Sequence, residues 1–241
     1  MKGERLDVAL VERGLCESRE QARRLILAGE VRVNGHCVDK ASRKVLADNA
    51  LEIMQRPRFV SRGGLKLEAA LNAFEINPAG WVCADIGSST GGFTDCLLQY
   101  GAAKVFCFDV GTNQLAWKIR SHPQVIAREQ FNARNLQPED VSEPVRLAVM
   151  DLSFISLTLV LPAVWRILDA QGMTLCLIKP QFELERDKVG KGGVVREAAS
   201  QEQAVEKIRR FALENDKEWR GVVDSPITGM DGNREFLAWI A

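Results

Sequence analysis

The sequence predicts an α/β protein: a doubly wound, mostly parallel sheet preceded by a small α+β module. Three observations carry this. Beyond Trp81, continuous apolar runs alternate with amphipathic stretches, the pattern of strands buried on both faces between crossover helices. Before residue 60 the pattern is two short helices and a hairpin. The charge also breaks between these regions: the chain is neutral overall, but residues 1–66 hold 14 basic and 9 acidic side chains, and the remainder is acidic by the same excess. Such asymmetry points to a module for a polyanion joined to a body of another kind.

Composition excludes several classes. With 241 residues, 46% hydrophobic and 27% charged, and a mean hydropathy of −0.11, the chain is neither disordered nor collagenous. No apolar run reaches the ~18 residues of a membrane span. The opening MKGERLDVAL lacks a secretory signal's apolar core, so a cytoplasmic location and no membrane partner are expected. The six cysteines form no Cys-x-x-Cys pair, and His36 and His122 have no ligand-spaced partner. Buried free thiols are expected, and no metal site.

In the first module, Leu6, Ala9, Leu10 and Arg13 recur at helical spacing until Gly14. Ser18 then opens a second helix as a capping box with Gln21; Ala22, Leu25 and Ile26 form its apolar face. Arg19, Arg23 and Arg24 share the other side. Gly29 ends that helix, and Val31–Val33 with Asn34-Gly35 reads as a strand entering a tight hairpin. Three guanidiniums on one helix face suit phosphates of structured RNA.

The string RLDVALVERGLCESREQARRLILAGEVRVNG resembles the S-four RNA-binding domain, named after a ribosomal protein. That resemblance implies RNA binding by the arginine face. Arg5, Arg19, Arg23 and Arg24, with Arg58 and Arg62 of the basic stretch that follows, are the candidate RNA contacts. The stretch Gln55–Gly64 breaks periodicity with a proline and paired glycines. The expected division is therefore 1–58 for the module, 59–64 for a linker and 65–241 for the body.

After a helix marked by Leu67, Ala70, Leu71 and Phe74, strands are expected at Trp81–Ile86, Lys104–Val110, Gln124–Ala127, Arg146–Asp151 and Met173–Ile178. Helices are expected around Gly92–Tyr100, Asn113–Arg120, Ile155–Leu168 and Ser200–Asn215, with a closing hairpin ending in Arg234–Ile240. In such sheets ligands bind beyond the carboxyl ends of the strands. Those ends carry Asp85 before the glycine-rich turn Gly87–Phe93, then Asp109, Asp151 and Lys179. The turn is not the dinucleotide G-x-G-x-x-G, and Asp109 suits an acceptor for two vicinal ribose hydroxyls. A nucleoside without a pyrophosphate fits better than NAD does.

DIGSSTGGFT with Asp109 one strand later resembles the S-adenosylmethionine site of Rossmann-like methyltransferases, in the form found in FtsJ-type RNA ribose methyltransferases. The resemblance implies that Asp85, Gly87, Ser88, Ser89, Gly91 and Phe93 surround the methionine portion. It puts Asp109 and Val110 at the ribose and Asn132 beside the adenine edge. FtsJ-type enzymes use a Lys-Asp-Lys-Glu set, and Lys66, Asp151, Lys179 and Glu235 match its places. Lys179 would contact the ribose hydroxyl and accept its proton, Asp151 and Glu235 would orient that amine, and Lys66 would help hold the target. A ribose hydroxyl is a poor nucleophile near neutrality, so such activation is needed.

With FVSRGGLKLEAAL, MDLSFISL and IKPQFE added, the chain resembles the TlyA family along almost its whole length. That implies an rRNA 2′-O-methyltransferase acting on a cytidine, with rRNA or a ribosomal subunit as partner; the early end after Glu235 suggests the form acting on the large subunit. Family members are often also labelled haemolysins. The rival readings are an RNA-binding protein with an inactive methyltransferase-like domain, a membrane-lytic protein, and a pseudouridine synthase. No long apolar or strongly amphipathic basic helix supports lysis, and pseudouridine synthesis gives Asp109 no role. The glycine-rich stretch Glu185–Arg196 after Lys179 reads as a loop whose Lys188, Lys191 and Arg196 are further candidates for phosphate contact.

Overall fold

The computed structural model describes residues 3–54, 57–190, 192–229 and 231–241. The chain forms two compact units, Met1–Arg58 and Phe59–Ala241.

The first unit runs β1 (Glu4–Arg5), α1 (Leu6–Glu12), α2 (Arg19–Leu27), β2 (Val31–Val33), β3 (His36–Cys37), β4 (Lys44–Val45) and β5 (Leu51–Ile53). Leu6, Leu10, Ala22 and Ile26, all fully buried, pack the two helices on Val31, Val33 and Val45. Ser18 Oγ accepts the Gln21 N–H at 3.2 Å, half of the expected capping box. The other half differs, because Gln21 Oε1 accepts the N–H of Glu17 instead of Ser18. Asn34 and Gly35 both take positive φ (50° and 78°), as a tight hairpin between β2 and β3 requires.

The second unit runs α3 (Gly63–Ala73), β6 (Val82–Ile86), α4 (Gly92–Gln99), β7 (Lys104–Phe108), α5 (Trp117–Arg120), β8 (Val125–Arg128), β9 (Val145–Met150), α6 (Leu161–Trp165), β10 (Leu168–Ile178), α7 (Pro180–Glu183), α8 (Ala198–Glu214), β11 (Trp219–Asp224) and β12 (Phe236–Ile240). The seven strands lie in the order β11-β12-β10-β9-β6-β7-β8. β6 to β10 are parallel, and β12 is antiparallel to both of its neighbours. The order reverses between β6 and β9, the switch point at which open α/β sheets hold ligands. One core lies on each face of the sheet. Ile86, Phe106, Met150 and Ile208 belong to one, and Leu67, Phe93, Leu97 and Leu177 to the other.

Residues 59–64, read from the sequence as a linker, are built into this unit. Phe59 is buried, the Val60 N–H donates to Asp95 Oδ2, and α3 already begins at Gly63. The paired glycines on either side form one contact: a Cβ on Gly92 would lie 3.1 Å from the Gly64 nitrogen, and one on Gly64 would strike the Phe59 ring. Two expected helices are shorter. Asn113 adopts a left-handed φ of 56° and the Ala116 N–H goes to Thr90 O, so α5 starts only at Trp117. Residues 155–168 are broken by a 3₁₀ turn capped by Ser156, ahead of the proline-started α6. Five cysteines are buried and Cys37 is exposed, so the burial expectation fails at that position; its Sγ contacts the carbonyl of Gly29 across the short edge strand β3. Among the described residues, no helix is long and apolar enough to cross a membrane.

Candidate functional site

Beyond the carboxyl ends of β6, β7 and β9 lies a cleft of about 550 Å³, within the roughly 300–1,000 Å³ typical of small-molecule sites. Its floor is the turn after β6. Gly87 has φ +83°, and a Cβ there would lie 2.7 Å from the carbonyl oxygen of Asp151 and 2.9 Å from Leu152. The chain can pass this close to β9 only because Gly87 lacks a side chain. Gly91, also left-handed, backs onto Leu115 and Ile119.

Asp109 is held in a fixed orientation. Its Oδ2 accepts the N–H of Ser89 and its Oδ1 the N–H of Gly111, both at 2.7 Å. Each oxygen keeps a lone pair, so the carboxylate can accept from two neighbouring hydroxyls. Asp85 is fully buried. Its Oδ2 accepts from the Thr94 N–H (3.0 Å) and hydroxyl (2.6 Å), while Oδ1 has no hydrogen-bond partner among the described residues. Burial pushes its carboxyl up to about 7, and the Asp151 charge adds to the rise against the Thr94 hydrogen bonds.

Of the nine candidate cofactor residues, Gly87, Ser89, Asp109, Val110 and Asn132 line the cleft. Asp85, Ser88, Gly91 and Phe93 form the turn from behind, and the Phe93 ring belongs to the core. The sequence reading missed Phe131 and Arg134, beside Asn132, and Ser153 and Phe154, just after Asp151. Phe154 is the sharpest of these: a left-handed residue (φ 63°) whose side chain is 91% exposed. It pairs with Phe182 at a centroid distance of 5.1 Å. The two rings, with Arg134 and Arg186, line an adjoining recess of about 750 Å³.

The four candidate catalytic residues form two ion pairs at the carboxyl edge of the sheet. Lys179 Nζ is 2.7 Å from Asp151 Oδ1 and donates to Ser153 Oγ at 2.9 Å. Lys66 Nζ donates to Glu235 Oε2 at 2.5 Å, and both side chains are buried. Ile178 pairs with Phe236, so the antiparallel register sets Lys179 across from Glu235 at the next position. Two buried residues outside the predicted set brace this edge. Glu183 Oε1 accepts the N–H of Leu157 and its Oε2 an N–H of Lys207, tying the segment after Asp151 to the helix after Lys179. Asn233 fastens the glycine-rich loop, accepting from the Val195 N–H and donating to the carbonyl of Gly193. In that loop Lys188 donates to Gln203, Arg196 is exposed, and Lys191 lies outside the described residues.

In the first unit, Arg5, Arg19 and Arg23 all bind the carboxylate of Asp7, which the sequence reading also missed. Arg24 is exposed on α2, and Arg62 is exposed at the start of α3 in the second unit. Arg58 ends the first unit. Arg13 donates to the carbonyls of Leu46 and Asn49.

The orphaned Asp85 oxygen, the glycine cradle, the oriented Asp109 and the apolar walls of Phe108, Phe131 and Leu152 fit a cationic nucleoside such as S-adenosylmethionine. The chain is similar to known proteins along its length. Residues 59–241 match the FtsJ-like methyltransferase family model, and residues 4–50 match the S4 domain. The YqxC protein of Bacillus subtilis is 46% identical, covering 98% of this chain and 85% of its own. The 16S/23S rRNA (cytidine-2′-O)-methyltransferase TlyA of Mycobacterium tuberculosis is 44% identical, covering 98% and 89%. A solved structure from Streptococcus thermophilus superimposes with a TM-score of 0.76 at 44% identity, covering 100% of this chain and 88% of that one.

Proposed function

Because the chain belongs to the TlyA family of FtsJ-like methyltransferases and carries an S4 domain, we propose that it methylates the 2′-hydroxyl of a cytidine in rRNA, with the large-subunit rRNA as substrate. The observation that carries this is the Lys66–Glu235 and Asp151–Lys179 pairs at the carboxyl end of the sheet, with Asp151 lining a nucleoside-sized cleft. S-adenosylmethionine, when bound, supplies a methyl group on a sulfonium that is already a good leaving group. Gly87, Ser89, Asp109, Val110 and Asn132 would hold it, and the Asp109 carboxylate could accept from its ribose hydroxyls.

The chain's own task is to position and activate the target oxygen. Lys179 spends one N–H on Ser153 and lies 2.7 Å from the Asp151 carboxylate, which leaves donors for the 2′-oxygen. Lys179 in its neutral form takes the hydroxyl proton, and the Asp151 carboxylate 2.7 Å away stabilises the ammonium that forms. Glu235 holds Lys66, whose positive charge offsets the developing alkoxide. The recess lined by Phe154, Phe182, Arg134 and Arg186 has the aromatic faces and cations that a splayed-out nucleotide needs. Arg5, Arg19, Arg23, Arg24, Arg58 and Arg62 are the proposed phosphate contacts elsewhere on the RNA.

Lys179→Ala tests the assignment. It should bind S-adenosylhomocysteine normally by calorimetry while labelled-methyl transfer to ribosomal subunits falls by orders of magnitude. Wild-type transfer by that variant would refute the role of Lys179. Mapping ribose methylation in cells with and without the gene identifies the nucleotide and the subunit.

A further inference from the structure

We propose that the buried carboxylate of Asp7 organises the RNA-contacting face of the first unit, holding Arg5, Arg19 and Arg23 as one preset fork for the phosphates of folded RNA. The inference rests on the reading of this unit as RNA-binding.

An acidic residue at the centre of a polyanion-binding patch looks like a defect until its geometry is considered. The Asp7 side chain is completely buried in the first turn of α1, whereas the arginine side chains around it are 38%, 52% and 54% exposed. Its Oδ1 accepts from Arg5 Nε at 2.9 Å. Its Oδ2 accepts from Arg5 Nη2 (3.3 Å), Arg19 Nη2 (3.0 Å) and Arg23 Nε (3.1 Å). These four bonds gather side chains from β1 and from two successive turns of α2 onto one point. Each guanidinium carries five N–H donors, so most remain unspent. The cluster keeps a net positive charge, and charge-assisted bonds of this kind fix geometry as well as lending strength. Burial alone would push the Asp7 carboxyl up; the three arginine hydrogen bonds more than reverse this and hold it well below the usual carboxylate range, so it stays ionised.

A free arginine on a helix surface loses rotamer freedom when it grips a phosphate. Three arginines already fixed by Asp7 pay that cost on folding rather than on binding. Two accounts of Asp7 thus predict opposite signs. If Asp7 only neutralises the patch, removing its charge tightens RNA binding and steepens its salt dependence. If Asp7 organises the patch, removing its charge weakens binding.

The experiment measures affinity for a folded large-subunit rRNA transcript across a salt series, using the full chain. Asp7→Asn is expected to bind roughly tenfold or more weakly at every salt concentration, since the ordering of three side chains returns to the binding step. Its affinity for S-adenosylhomocysteine should be unchanged, which serves as the folding control for the second unit. Should Asp7→Asn fail to fold, the triple variant R5K/R19K/R23K keeps every charge and removes the guanidinium fork; it too should lose roughly tenfold, with an unchanged salt slope. A folded Asp7→Asn that binds as tightly as wild type or tighter overturns the proposal, as does wild-type binding by the triple lysine variant. Full affinity in Arg19→Ala/Arg23→Ala would instead refute RNA binding by this face.

Discussion

Replacing Gly87 with alanine adds one methyl group in the turn after β6, where it abuts the residue that follows β9. The residue has φ +83°, a left-handed backbone that costs a non-glycine residue roughly 1–2 kcal/mol. The new Cβ would lie 2.7 Å from the Asp151 carbonyl oxygen, whereas ordinary contact begins at 3.4 Å, so that carbonyl must retreat by about 0.7 Å. Overpacking of this kind adds roughly 1–3 kcal/mol, for a total of about 2–5 kcal/mol. For a chain of this size that lowers the melting temperature by roughly 5–20 °C. The displaced residue is the one that holds Lys179 at 2.7 Å, and productive geometry tolerates only about 0.5 Å. Turnover should therefore fall roughly 10- to 100-fold even where the protein remains folded. Calorimetric melts with and without S-adenosylhomocysteine, together with single-turnover methylation of rRNA, measure both effects. A Gly87→Ala protein melting within about 2 °C of wild type and methylating at its rate would refute the close-approach argument.

Glu235→Gln leaves the buried Lys66 ammonium without its counter-charge and should cost about 3 kcal/mol, near the lower end for a broken buried pair because the amide still accepts a hydrogen bond. Adding Lys66→Met should recover stability but not activity; recovered methylation in that double variant would remove the pair from the chemistry. Asp85 gives a pH signature. Its folded carboxyl titrates near about 7 against 3.8 unperturbed, so the folded state binds the extra proton and stability falls as pH rises from about 4 to about 7. Denaturation of the ligand-free protein across that range should show the slope, and Asp85→Asn should flatten it and melt higher above pH 7; an unaltered slope would assign the titration elsewhere. Phe154→Ala, at an exposed position, should leave the melting temperature unchanged and weaken rRNA methylation, by up to about 1–3 kcal/mol if a base stacks on the ring.

Much of this was legible along the chain because the signals are local. Buried parallel strands announce themselves as apolar runs, and each ends on a residue that the fold presents at one edge, so Asp85, Asp109, Asp151 and Lys179 could be read off in order. The helical pattern failed where a local competitor intervened. Asn113 took a left-handed turn and Ser156 capped a 3₁₀ turn, so the helices around them shortened. Asp7 went unnoticed because one acidic residue in a first helical turn is unremarkable by sequence; its meaning depends on two arginines on another helix.

The sequence by itself determined the alternation of buried strands with helices in the second unit and the residues at the ends of those strands, since periodicity and turn chemistry act over a few residues. Only the tertiary structure decided that Glu235 sits across from Lys179 and grips Lys66, because that depends on an antiparallel β12 inserting beside β10. It also decided that Phe154 stands exposed beside Phe182 while Phe93 is buried in the core. Contacts between residues well separated in sequence are fixed by strand pairing and packing, which no local pattern encodes.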